Sequence, residues 1–234
     1  MADPRAAFIY PEGRLEQAAA VHARLLEFYG WPDLSQPSAP LDELVCTILS
    51  QNTNDRNRDL AYTRLRAALP TWEAVRDAPP DAVMDAIRPA GLANQKGPRI
   101  QSVLREITAE RGDLSLEFLR QMPAEEAHAW LVKFNGVGPK TAAIVLVFSL
   151  GMPAFPVDTH VHRVTGRIGL RPEKMTADQA HPYLAGMFPP AEYGPAHLNI
   201  IRLGREICHA RGPRCEICPV LDLCDFGRAA ITGA

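Results

Sequence analysis

The chain has 234 residues, 47% hydrophobic and 22% charged, enough to bury a sizeable core as one large or two small domains. A net charge of −2 and a pI near 6.4 leave no general attraction for polyanions. The longest apolar run, residues 142–148, is far short of the ~20 residues a membrane span needs, and the first thirty residues lack the basic-then-apolar order of a secretion signal. The expectation is a cytoplasmic protein (nucleoid-associated if bacterial) with no membrane partner, in which five cysteines serve as ligands or core residues rather than disulfides.

Taken in chain order, apolar residues recur at helical spacing and no segment alternates as a strand. Leu15, Val21, Leu25 and Phe28 mark one face of a helix over 13–29, stopped by Gly30 and Pro32. The three prolines of 31–40 make a connector. Helices are expected over 41–49, 58–69, 80–87, 97–111, 114–121, 124–134, 139–150, 159–168, 177–187 and 194–206, separated by short breaks rich in Gly, Pro, Asp and Asn. Nothing repeats at a fixed period, so solenoids are excluded and the fold class is all-α.

The mild acidity hides two basic stretches. Between 88 and 111, Arg88, Lys96, Arg99, Arg105 and Arg111 face only Glu106 and Glu110; between 202 and 214, Arg202, Arg205, Arg211 and Arg214 face only Glu206. Such runs are ordinarily solvated helix faces, and other features must lift them.

One such feature is Phe134-Asn135-Gly136-Val137-Gly138-Pro139-Lys140, a tight turn between two helices, with Pro139 at the favoured first helical position. Two glycines give the backbone access to positive φ and to close approach by a ligand, and the amides at the second helix's N-terminus carry the positive end of its dipole. An ordinary helical hairpin explains the glycines equally well. Lys140, however, sits in that first turn beside apolar neighbours, both of which disfavour a charged amine and leave a nucleophile. Asp158 stands at the entry of the next expected helix, where it makes a good cap and also offers a carboxylate.

The most specific pattern is Cys208, Cys215, Cys218 and Cys224, a C-x6-C-x2-C-x5-C array. Four-cysteine zinc sites usually present two close pairs; here one close pair has wide arms on both sides, which favours a [4Fe-4S] cluster over zinc. Cys46, alone on an apolar helix, reads as a small buried hydrophobe.

The hairpin at 134–141, Val157-Asp158-Thr159-His160, Leu49-Ser50-Gln51-Asn52-Thr53 and the four-cysteine tail together resemble, in order from about residue 40 to 226, the endonuclease III family of helix-hairpin-helix DNA glycosylases. The resemblance implies two all-α domains with a DNA cleft between them. One, residues 32–152, is a six-helix barrel holding the hairpin (124–150); the other, 1–31 with 153–234, holds a [4Fe-4S] cluster in loop 208–224. It implies excision of oxidised pyrimidines from double-stranded DNA, followed by strand cleavage at the abasic site, by a monomer. Lys140 falls at the family's nucleophile and Asp158 at its partner carboxylate. Gln51 falls where the family fills the gap left by the flipped base, and Leu92 where it wedges the opposite strand. Gly136, Val137, Gly138, His160, Arg211 and Arg214 fall on the DNA side. The chain departs from the family pattern at Phe134-Asn135, Pro139, Gly212-Pro213 and Ala93, which implies an altered substrate preference. A monofunctional mismatch or damage glycosylase and a damage-binding protein with weak catalysis remain as alternatives.

Overall fold

The computed structural model describes residues 8–232; the outermost parts of the expected cluster domain, 1–7 and 233–234, lie outside them. Among the described residues there are twelve α-helices and no strand, and no helix is long and apolar enough to cross a membrane. The chain divides into two compact units, one from Pro37 to Met152, the other formed by the described residues up to Gln36 and from Pro153 onward.

The first unit contains α2 (Pro40–Ser50), α3 (Asp55–Ala68), α4 (Trp72–Asp77), α5 (Pro80–Ile87), α6 (Ala93–Arg111), α7 (Ala124–Val132) and α8 (Pro139–Ile144). Helix α2 is its hydrophobic centre: Leu41, Leu44, Val45, Ile48 and Leu49 repeat at i, i+3, i+4, i+7 and i+8 and are all buried. Each is worth about 1.5–3 kcal/mol relative to an exposed side chain. Helices α3, α6 and α8 pack around it.

Several boundaries differ from the sequence expectation. Helix α3 starts at Asp55 rather than 58 because Asn54 caps it, accepting from Asn57 N–H at 2.9 Å. Helix α4 was not expected; it is a six-residue turn capped by Thr71 with only Val75 buried, too short to show a period. Helix α6 starts at Ala93 rather than 97, so Pro98 lies inside the helix and leaves the carbonyl four residues earlier without its amide. The stretch expected as a helix over 114–121 holds a 3₁₀ turn at Glu117–Gln121 in place of an α-helix. After Ile144, α8 widens into a π-turn at Val145–Ser149, where Leu150 N–H reaches back to Val145 O at 3.2 Å. Arg120 closes that end, donating to Ser149 O and Leu150 O, both at 2.8 Å.

The second unit contains α1 (Arg14–Tyr29), α9 (Thr159–Ile168), α10 (Ala177–Ala185), α11 (Tyr193–Glu206) and α12 (Asp225–Thr232). Helices α1 and α9 both pack on α11. Phe155 stacks on Phe188 at 5.1 Å and meets Tyr193 edge-on at 5.5 Å. Two buried imidazoles, His181 and His197, place Nδ1 at 2.9 Å from Phe155 O and Pro156 O, pinning the extended segment that leads into α9.

Polar groups also hold the first unit together. Gln101, 1% exposed, donates from Nε2 to Ala78 O at 2.8 Å and Val75 O at 3.0 Å, tying the end of α4 to α6. Gln101→Leu keeps the shape but orphans those carbonyls, so urea denaturation should show a loss of about 1–3 kcal/mol.

Candidate active site

In the unit spanning 37–152, the turn between α7 and α8 is anchored by two apolar residues. Phe134 is buried edge-on to Trp130 at 4.8 Å, and Val137 is buried beside it. Val137 N–H donates to Phe134 O at 3.0 Å, so that amide is taken by the turn and its side chain by the core. Gly136 has φ +88, and a Cβ there would lie 2.1 Å from Arg99 Cδ and Nε. Gly138 does not share this requirement: its φ is −87, open to any residue, and a Cβ would meet nothing within 4 Å. The expectation that both glycines serve positive φ therefore holds for Gly136 only. Lys140 is the second residue of α8, half-buried, and no group of its own unit accepts a bond from its Nζ.

The end of α2 lies beside this turn. Gln51 Nε2 donates to Gly136 O at 3.3 Å, and Arg99 Nη1 donates to Gln51 Oε1 at 2.9 Å. Leu92 caps α6 in the left-handed region (φ 50) with its side chain 44% exposed, an uncommon state for leucine; Asn52, beside Gln51, has φ 54. These are the non-glycine residues with positive φ among those described. Lys96, almost fully buried, donates from Nζ to Leu49 O and Ala90 O, each at 2.8 Å, and burial lowers its pKa.

In the second unit, Asp158 caps α9, Oδ1 accepting from Val161 N–H at 2.7 Å. His160, in the first turn of α9, accepts from Arg163 Nη2 at Nδ1 at 3.0 Å. Burial pushes its pKa down; Asp158 opposes that shift and the Arg163 and Arg205 guanidiniums reinforce it. Lys140 and Asp158 thus belong to different units.

Cys208, Cys215, Cys218 and Cys224 line one hollow of about 280 Å³, its mouth included, walled by Ile207, Leu221 and Phe226. Among the described residues no three His, Cys, Asp or Glu side chains converge tightly enough for a single metal ion. Burial pushes the thiols of Cys215, Cys218 and Cys224 up, Cys218 to about 11, and the neighbouring sulfurs push the same way. Buried thiols that resist ionising need a cationic core beside them to become thiolates. A four-cysteine cage with an N–H from Gly227 at 3.3 Å from Cys224 Sγ fits a four-iron cluster. Arg211 is exposed; Arg214 folds back, Nη2 donating to Glu206 O, and lines the hollow.

Residues 45–190 match the HhH-GPD superfamily base excision DNA repair protein family. The chain belongs to that superfamily. Its residues 208–224 match the iron-sulfur binding domain of endonuclease III. Endonuclease III of Thermotoga maritima is 32% identical over 198 residues, covering 85% of this chain and 88% of that protein. A putative DNA glycosylase of Arabidopsis thaliana is 41% identical over 150 residues, covering 64% of this chain, which spans half the length of that relative. A solved endonuclease III chain, from a structure titled as a non-covalent endonuclease III–DNA complex, superposes with a TM-score of 0.80 at 26% identity, covering 93% of this chain and 98% of that one. The protein is an endonuclease III-like base excision repair glycosylase with a [4Fe-4S] cluster, and its four C-terminal cysteines lie in the matched iron-sulfur segment.

Three basic residues of this glycosylase escaped the sequence reading. Arg163 donates to Cys208 O at 3.2 Å and Gly204 O at 2.8 Å; Arg167 donates to His209 O at 2.6 Å and Ala210 O at 2.9 Å and reaches Cys208 Sγ at 3.4 Å. Both project from α9, four residues apart, and fasten the start of the cluster loop; that spacing after Asp158 was the available signal. Lys96 is the third, hidden inside a run that reads as a charged surface. The two hairpin glycines separate cleanly by experiment. Gly136→Ala should cost about 1–3 kcal/mol in chemical denaturation, whereas Gly138→Ala should stay within about 0.5 kcal/mol of the parent.

Proposed function

We propose that this glycosylase removes oxidised pyrimidines from duplex DNA and then cuts the strand at the abasic site through an imine on Lys140, working as a monomer in the cytosol. The observation that carries this reading is a half-buried lysine in the first turn behind the hairpin, with no internal acceptor in its own unit, in a chain of the endonuclease III family. The solved relative titled as a DNA complex supports duplex DNA as the partner.

A base inside the stack is out of reach, so the nucleotide must swing out and the gap be filled. Gln51 and the exposed Leu92 are assigned to fill and wedge the stack. The Lys140 amine attacks the sugar's C1′ as the glycosidic bond breaks, and the base leaves with that electron pair and takes up a proton. The Asp158 carboxylate steadies the positive charge that develops on the sugar. The nitrogen loses a proton and C1′–O4′ breaks, O4′ taking up a proton, so the sugar opens to an imine; loss of a proton from C2′ then expels the 3′ phosphate by β-elimination. Thiolate ligation of the cluster is structural: it fixes the 208–224 loop, from which the exposed Arg211 meets phosphate. Arg214 supports that loop through Glu206 O and adds charge beside it. His160, held by Arg163, contributes a neutral polar edge on the DNA side.

Borohydride added during turnover should trap the protein on DNA carrying an abasic site, and Lys140→Gln should abolish the adduct while leaving DNA affinity in place. An adduct formed at the wild-type rate by the Lys140→Gln protein would sink the assignment. Asp158→Asn keeps the cap, so the melting curve should shift by no more than about 1 kcal/mol while excision collapses. Full excision by that variant would leave Asp158 a cap alone.

A further inference from the structure

A buried ammonium without a carboxylate is an expensive way to fill space, and a methionine would occupy the same volume without desolvating a charge. What Lys96 adds is two directed bonds from one point. Its Nζ lies 2.8 Å from Leu49 O and 2.8 Å from Ala90 O. Leu49 precedes Gln51 by two residues and Ala90 precedes Leu92 by two residues, so each carbonyl belongs to the base of a different loop at the same distance from its tip. Both loops then pass through left-handed backbone, at Asn52 in one and at Gly91 and Leu92 in the other. Such conformations persist only where their surroundings over-determine them. Arg99, three residues after Lys96 on α6, adds a bond to Gln51 Oε1, and Gln51 in turn holds Gly136 O.

We propose that Lys96 is a positioning residue that ties the Gln51 loop and the Leu92 loop to one anchor, so that plug and wedge enter the base stack at a fixed separation. The inference rests on the reading of Gln51 and Leu92 as the residues that fill and wedge the opened duplex. On this account Lys96 acts on the opening of a paired lesion and not on chemistry at a nucleotide already outside the stack.

The test compares single-turnover cleavage by the iron-loaded holoprotein on two DNAs: an oxidised pyrimidine paired in a duplex, and the same lesion within a bubble of unpaired bases. The paired-to-unpaired rate ratio cancels the fraction of folded enzyme, so a poorly folding variant still reports. Lys96→Met should lower the ratio about tenfold relative to the parent, and Leu92→Ala should lower it as well. Lys96→Gln, which keeps an N–H donor, should fall between Lys96→Met and the parent. The double variant should lose less than the product of the single losses, because both act on one step. A ratio unchanged in Lys96→Met but lowered in Leu92→Ala would overturn the anchor and leave the wedge standing. A ratio unchanged in Leu92→Ala would overturn the assignment of the wedge, and this inference with it. A wild-type protein that cuts neither DNA would instead overturn the reaction proposed above and everything resting on it.

Discussion

The unit from Pro37 to Met152 turns on an ammonium group placed where only carbonyl dipoles surround it. Lys96 receives two of them, from the end of α2 and from the turn before α6, and its stem fills core space between the helices. Around this point the backbone takes positive φ three times: at Leu92, at Asn52 and at Gly136, whose missing Cβ leaves room for Arg99. Left-handed backbone is unfavourable for the leucine and tolerated by the asparagine and the glycine. These conformations persist because hydrogen bonds of fixed direction, from Lys96 and Arg99 on one face of α6, leave the neighbouring segments little freedom.

Elements with strong periodicity or strong punctuation were legible in the sequence. Helix α1 shows its face through Val21 and Leu25 and its stop through Gly30, and the hairpin shows itself through Gly136 and Pro139. The cysteine array pointed to the cluster without any fold. Helices α4 and α12 are six and eight residues long, and neither offers enough turns for a pattern to rise above its flanks. The π-turn after α8 leaves no mark among aliphatic residues, since it depends on Arg120 meeting carbonyls thirty positions away.

Charge was the least legible property. The run from 88 to 111 reads as a basic face, yet little of it is free: Lys96 is buried, Arg88 pairs with Asp85, Arg105 reaches Arg76 O, and Arg111 lies over Phe118 at 4.0 Å. The same holds at the cluster, where Arg163 and Arg167 serve carbonyls of the loop and only part of the positive charge remains for an outside partner. Formal charge counts cannot separate guanidiniums that staple backbone from those that await a ligand. Asp158 shows the converse, because its cap to Val161 N–H is a bond that sequence alone cannot tell from any other use of the same carboxylate.

The second unit is made of two segments that flank 37–152 in sequence, and this sets an order on its assembly. Helix α1 is made before the groups that hold it: it packs on α11, and Gln17 donates to Leu223 O at 2.6 Å across 206 positions of sequence, and Arg24 to Pro219 O at 3.0 Å. All of 37–152 is translated in between and finds its own partners first. Through that interval the apolar stripe of Ala18, Val21 and Leu25 waits uncovered. Docking of α1 on α11 and on the segment that carries Cys218 and Cys224 therefore waits until the chain beyond residue 193 has been made.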